Sequence, residues 1–245
     1  MLLISILYHI FGILQSLLSL ILAVVALVVC FPFDRGRKVV HFINAKFTAL
    51  FFLIPPFWKS VDEGFENIDK TKSYVIVINH TEMMDIPIMY RVPLYFKWVS
   101  KREVFWFPIF GQYLFVRGDI AIERGNGSEA LAKVIEKGKR VIGGGQSVAI
   151  FPEGTRSKNG VIGRFKAGAF NLAKEANVDI LPVVIDGAER VFDMKSGLYN
   201  WRNTVTIRVL PPVKCAWRDN AECKELMDSV RSSMVDALAD IRAEK

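Results

Sequence analysis

Tyr74-Val75-Ile76-Val77-Ile78-Asn79-His80-Thr81-Glu82-Met83-Met84-Asp85 is the stretch on which the reading of the whole chain turns. Residues 74–78 form an apolar, charge-free run, the pattern of a strand buried on both faces of a sheet. His80 then stands just past the carboxyl end of that strand, where open α/β sheets place their ligands. Asp85 follows five residues on. On one continuous helix the two side chains would point about 140° apart, because each residue turns by about 100°. A turn after the strand, with Asp85 in the first turn of a helix, brings the carboxylate to the imidazole instead. Such a pair is a neutral histidine poised as general base, with a carboxylate holding its tautomer. A His-x4-Asp spacing alone also arises by chance. Its weight comes from a second polar motif, Phe151-Pro152-Glu153-Gly154-Thr155-Arg156-Ser157, which again follows a short apolar run, Val148-Ala149-Ile150. Two polar motifs at the ends of two buried strands point to one shared crevice.

These motifs resemble those of the membrane-bound glycerolipid acyltransferases, most closely the 1-acyl-glycerol-3-phosphate (lysophosphatidic acid) acyltransferases. Asn79-His80-x4-Asp85 is similar to the family's first block and Phe151–Arg156 to its third. Lys101-Arg102-Glu103-Val104, then Pro108 and Gly111, then Ile122-Glu123-Arg124 resemble the second, and Leu181-Pro182-Val183-Val184 the fourth. The resemblance covers about residues 74–185. It implies transfer of a fatty acyl group from acyl-CoA or acyl-ACP (acyl carrier protein) to the sn-2 hydroxyl of lysophosphatidic acid. It also implies that Lys101 and Arg124 help to hold the acceptor phosphate and that Glu153 and Gly154, with Thr155 beside them, belong to the acceptor site. Two positions depart from the pattern: Glu82 stands where the first block often has Ser, and Glu123 where the second often has Asp.

The chemistry is consistent with that implication. Acyl transfer to a hydroxyl needs a base, stabilisation of an oxyanion and two substrates held together. His80 with Asp85 supplies the base. No Gly-x-Ser-x-Gly elbow exists and no cysteine lies near either motif, so direct attack without an acyl-enzyme is the simpler scheme. Arg156 is the best phosphate ligand, since a guanidinium grips phosphate bidentately. For Glu153 two tasks stay open: binding the glycerol hydroxyl or orienting Arg156. The alternatives are the same chemistry on glycerol 3-phosphate, another lysophospholipid or a lyso-aminolipid, a thioesterase using water, or a non-catalytic membrane-binding module. An intact His80, Asp85, Glu153 and Arg156 argue against the last.

Outside the motifs, 51% of the residues are hydrophobic and mean hydropathy is +0.27, values that suggest membrane contact. The net charge of +7 favours an anionic partner such as phospholipid headgroups or phosphorylated substrates. No zinc-finger spacing, basic helix or aromatic RNA-binding signature supports nucleic acid. Cys30, Cys215 and Cys223 are too few and too scattered for a disulfide framework, and with His9, His41 and His80 they form no metal-ligand spacing, so neither metal nor cofactor is expected.

Residues 1–33 contain no charged side chain, a run longer than the roughly 20 residues that span a bilayer. Lacking the basic start and cleavage site of a signal peptide, they read as a retained membrane helix. Asp34-Arg35-Gly36-Arg37-Lys38 follows and assigns that end to the cytoplasmic side. Residues 39–58 read as a second helix lying in the interface, with Arg37, His41, Asn44 and Thr48 as a stripe toward water. The expected organisation is therefore membrane helices over 1–58 and a catalytic domain over 59–245, on the cytoplasmic face of the cell membrane. The fold class is α/β: a mixed, largely parallel sheet flanked by helices, with an N-terminal membrane-binding helix pair. Strands are expected at 74–78, 95–99, 119–123, 147–151, 180–185 and 204–210, and helices at 84–92, 101–107, 128–137, 166–176 and 220–242, after a polar connector at 59–73. The aromatic run Phe105–Phe110 reads first as a core helix and turn, otherwise as an acyl-channel wall or membrane-facing edge. Gly143-Gly144-Gly145 lacks any phosphate-loop context and reads as a turn.

Overall fold

The structure is a computed structural model and describes residues 2–53, 58–123, 127–157, 159–193 and 196–244. Its centre is a strand, β2 (Val75–Ile78), with side chains alternating between two cores. Ile76 and Ile78 enter one with Ile88, Met89, Trp98 and Leu181, while Val75 and Val77 enter the other with Phe170, Leu172, Val230 and Met234. All four β2 residues are buried, as a charge-free run in mid-sheet must be.

Seven strands form one sheet, in the order β1 (Trp58–Glu63), β9 (Asn203–Val209), β6 (Ile180–Asp186), β2, β5 (Ser147–Ile150), β3 (Phe96–Lys101), β4 (Ile120–Ile122). From β6 to β4 the pairings are parallel, with Val75 opposite both Val148 and Ile180. β9 runs antiparallel to β6 and carries β1 parallel to itself. A small hairpin, β7 (Phe192–Asp193) and β8 (Leu198–Tyr199), stands apart. Helices α5 (Gly127–Gly143), α6 (Gly168–Ala176) and α7 (Asn220–Ala243) cover one face, the Val230, Met234, Leu238 and Ile241 stripe of α7 facing in as its spacing predicts. Asp219 caps α7 by accepting from the Ala221 and Glu222 amides at 2.9 and 3.0 Å.

The six expected strands are present. β1 falls almost wholly within 59–73, which reads in sequence as a polar connector. It is an edge strand, with Lys59, Ser60, Asp62 and Glu63 reaching away from the core, and edges tolerate charges that a central strand does not. Helix α4 (Phe110–Arg117) is not expected from the sequence, because the aromatic run before it masks its period; Phe105 is buried while Trp106 and Phe107 are exposed.

The N-terminal pair is α1 (Leu2–Cys30) and α2 (Lys38–Leu53). α1 buries one stripe, Ser5, Tyr8, Gln15, Ser19, Ala23 and Ala26, and leaves its leucines and isoleucines outside. α2 corrects the expected orientation. His41 and Asn44 are 4% and 5% exposed and face inward, whereas Phe42 on the opposite side is 51% exposed. His41 stands among Tyr90, Tyr95 and Phe96, and Asn44 accepts from Ser19 Oγ at 3.4 Å. Arg37 donates to the Phe115 and Val116 carbonyls at 2.6 and 3.0 Å. Polar groups are thus spent between the helices and the domain, and apolar ones are turned outward. This is the inverse of a water-facing helix and the arrangement expected beside lipid, where polar groups seek partners inside the protein.

Candidate active site

β2 ends at Ile78, and Asn79 ties that end to β6. Its Nδ2 donates to the Ile185 carbonyl and its Oδ1 accepts the Ile185 amide, both at 2.8 Å. The chain then turns through Thr81–Met84 into a short helix, α3 (Asp85–Ile88), of which Asp85 is the first residue. The fully buried Asp85 carboxylate draws the turn together. Oδ2 accepts the Thr81 and Glu82 amides at 2.7 and 2.8 Å and faces His80 Nδ1 at 2.9 Å. Oδ1 accepts Thr81 Oγ1 at 3.3 Å. With Nδ1 donating to a carboxylate, Nε2 is the basic nitrogen of the neutral ring. The histidine side chain is 14% exposed, enough for a hydroxyl to reach it.

β5 pairs with β2 in parallel, so the Phe151–Ser157 turn leaves the sheet beside His80. Phe151 stacks on the imidazole with centroids 3.9 Å apart, and Trp98 stacks on Phe151 at 5.0 Å. The turn also grips the His80 backbone: Glu153 Oε1 accepts the His80 amide at 2.9 Å, and the Ser157 amide donates to the His80 carbonyl at 2.8 Å. Gly154 takes φ 70°, a left-handed conformation that disfavours other residues. Arg156 Nη1 donates to Glu82 Oε1 at 2.8 Å on the exposed rim. Glu82, where the family pattern often has Ser, is therefore matched by a cation.

The structure brings His80, Asp85, Glu153, Gly154, Thr155 and Arg156 to one place. Lys101 ends β3, at the same edge of the sheet but two strands from β2, about 10 Å at ordinary strand spacing. Arg124 lies outside the described residues. Two further residues, both outside the motifs, bear on this turn. Lys166 folds over Gly154, so closely that a Cβ there would lie 2.7 Å from its Nζ. Arg231 of α7 binds the carbonyls of Ile162 and Gly163. Neither carries a local signal; tertiary contact places them. A cavity of about 290 Å³ opens between the helix pair and the domain, walled by Asn44, Thr48, Met83, Pro87, Trp98 and Tyr113. Trp98 thus links it to the ring stack on His80.

Residues 60–186 match the family described as Acyltransferase. The chain is 32% identical to 1-acyl-sn-glycerol-3-phosphate acyltransferase alpha of Mus musculus, over 91% of this chain and 78% of that one. It is 31% identical to a chloroplastic 1-acyl-sn-glycerol-3-phosphate acyltransferase of Arabidopsis thaliana, over 82% of this chain and 56% of that one. The crystal structure of the 1-acyl-sn-glycerophosphate (LPA) acyltransferase PlsC of Thermotoga maritima superposes with a TM-score of 0.68 at 25% identity, covering 96% of this chain and 98% of that one. A histidine–aspartate pair at the carboxyl end of a buried strand, a Phe-Pro-Glu-Gly-Thr-Arg turn beside it and agreement along nearly the whole chain lead to one conclusion: this chain belongs to the acyltransferase family, among the 1-acyl-sn-glycerol-3-phosphate acyltransferases.

Proposed function

We propose that this chain moves a fatty acyl group from an acyl thioester, acyl-CoA or acyl carrier protein, to the sn-2 hydroxyl of 1-acyl-glycerol-3-phosphate, making phosphatidic acid. The observation that carries the reading is the His80 Nδ1–Asp85 Oδ2 contact of 2.9 Å, which leaves Nε2 as the ring nitrogen not engaged by Asp85. Nε2 takes the hydroxyl proton as the oxygen attacks the thioester carbon. The C–S bond then breaks, and the imidazolium returns the proton to the departing thiolate. Asp85, held by two backbone amides and a hydroxyl, stabilises the imidazolium without taking the proton. Arg156, on the exposed rim, binds the acceptor phosphate, with Lys101 at the end of β3 as a further cation and Arg124 given the same task by the family pattern. Gly154 and Thr155 shape the turn that presents Arg156.

The enzyme works at a membrane. Its helix pair offers leucine, isoleucine and phenylalanine side chains outward, and Trp106, Phe107 and Phe115 continue that apolar surface at the sheet edge that holds His80. α4, which carries Phe115, is fastened to α1 by Tyr113 Oη donating to the Ser16 carbonyl at 2.6 Å. These features support a crevice mouth at the headgroup level, and the Arg35/Lys38 cluster favours the cytoplasmic leaflet. The test is product analysis with an acyl thioester and each candidate acceptor. Phosphatidic acid should form from lysophosphatidic acid, and His80→Ala should abolish it while leaving the fold intact. A pure His80→Ala enzyme that keeps near wild-type turnover would refute the base assignment.

A further inference from the structure

We infer that Arg231, on the C-terminal helix, positions the catalytic histidine through Gly163 and Glu153. This rests on His80 being the base. Asp85 fixes the imidazole relative to its own turn, but the ring is only as well placed as the His80 backbone. That backbone is held from outside the turn, by Glu153 Oε1 on its amide and by the Ser157 amide on its carbonyl. Glu153 is 7% exposed, and its other oxygen, Oε2, accepts the Gly163 amide at 2.7 Å. A buried carboxylate whose two oxygens are each met by a backbone N–H is a bracket between two segments, and its charge strengthens both bonds.

The Gly163 end of the bracket is itself held. Arg231 Nη2 donates to the Ile162 carbonyl and Nε to the Gly163 carbonyl, both at 2.7 Å. The Ile162 C=O and the Gly163 N–H belong to one planar peptide and point in opposite directions. A guanidinium on the carbonyl therefore aims the N–H at Glu153 and polarises it. An added Cβ at Gly163 would lie 2.9 Å from Glu153 Oε2, so a larger residue there pushes on the carboxylate. The result is a continuous line from Arg231 through the Ile162–Gly163 peptide and Glu153 to the His80 amide. Its first member lies beyond residues 60–186, where the family match ends. Arg231 and Glu153 are positioning residues in this scheme. Neither need touch substrate, and holding the base gives Glu153 a task different from both the glycerol-hydroxyl and the Arg156-orienting roles expected from the sequence.

Arg231→Lys keeps the charge but cannot grip two carbonyls as a fork. It should lower kcat about tenfold, as a small displacement of a catalytic group does, and leave the acceptor KM near wild type. Glu153→Gln places an NH2 against one of two N–H groups and should cost more. Because both act through one line, Arg231→Lys added to Glu153→Gln should cause no further loss. Gly163→Ala should give the same kcat-selective fall without touching Arg231, which covers the case in which the arginine variant does not fold. Multiplicative losses in the double variant would sink the inference. So would a lowered melting temperature with unchanged kcat in Arg231→Lys, unchanged kcat in Gly163→Ala, or a Glu153→Gln effect confined to the acceptor KM. His80→Ala runs beside them: if it stays active, the base assignment fails first; if it is inactive while Arg231→Lys and Gly163→Ala turn over normally, only the positioning line fails.

Discussion

Asp85 shows how much one residue does in this site. Its carboxylate closes the turn after β2 and meets His80 Nδ1, and in the proposed reaction it carries the charge that balances the imidazolium. Asp85→Asn can still accept the backbone amides, so the fold should survive, but the ring loses its anionic partner. We expect kcat to drop about a thousandfold or more with melting temperature little changed, by analogy with other histidine–carboxylate pairs. Arg156 gives a different readout. It pairs with Glu82 on the exposed rim, and in the proposed reaction it binds the acceptor phosphate. Arg156→Ala should raise acceptor KM roughly tenfold to a hundredfold, the worth of a lost charge-assisted hydrogen bond, with little effect on donor KM. Glu82→Ser should relax one hold on the guanidinium and lower acceptor KM severalfold. Equal effects on donor and acceptor would remove Arg156 from this role. His80, Asp85 and the Phe151–Arg156 turn were readable in the sequence because the chemistry demands them at short, fixed spacing. Gly163 and Arg231 were not, because a planar peptide and a guanidinium 68 residues apart meet only in the folded chain.

Elements were legible where burial is complete and misread where one side is not water. β2, β5 and β6 announce themselves as charge-free runs. β1 does not, since an edge strand with one buried residue looks like a polar linker. α2 has a clear polar stripe, but periodicity says only that a helix has two faces, not which solvent each meets. His41 makes the true orientation measurable. Burial lowers its pKa well below the ordinary histidine value of 6.5, and Arg117 and then Lys97 add to the effect. The folded form therefore resists a proton that the unfolded chain accepts. This contribution to stability is complete above about pH 6.5 and is lost as pH falls toward the folded pKa. Acid should accordingly weaken the seat of α2, and His41→Phe, among Tyr90, Tyr95 and Phe96, should remove that part of the pH dependence. His41→Lys should cost several kcal/mol, since it buries an unpaired cation beside Arg117 and Lys97. Phe42→Lys, on the outer face, should leave melting in detergent unchanged. The reverse ranking would restore the polar stripe to water.

At the scale of the molecule the question is how a 29-residue apolar helix meets the bilayer. Composition suggests a span, and length permits one. The contacts favour another arrangement. α1 is fastened to the domain near its start, where Ser5 Oγ accepts the Tyr199 amide at 3.3 Å and Tyr8 packs edge-on to Trp58 and Trp201. It is held in the middle by Tyr113 and near its end by Ala23 and Ala26 against Val40 and the partly buried Val116. A helix strapped along its full length, about 43 Å at 1.5 Å per residue, cannot cross a bilayer without drawing the domain in with it. We expect it to lie along one leaflet, with its outward leucines in the acyl region and the exposed Trp106 at the interface. Two measurements follow from this geometry. Leu14→Gln with Leu18→Gln removes apolar contact worth about 1.5–3 kcal/mol per fully buried side chain. That should weaken vesicle binding at least tenfold and slow turnover of bilayer acceptor, yet leave a short-chain acceptor dissolved in water nearly unaffected. Lipids brominated high on the acyl chain should quench a large share of the tryptophan fluorescence in the wild type. In Trp106→Phe that share should fall sharply, because Trp58, Trp98 and Trp201 are buried in the domain and the partly buried Trp217 packs with the core beneath α6 and α7. Equal quenching in both proteins, or a reporter at the carboxyl terminus accessible from outside the cell, would mean that this face of the molecule does not rest on the cytoplasmic leaflet.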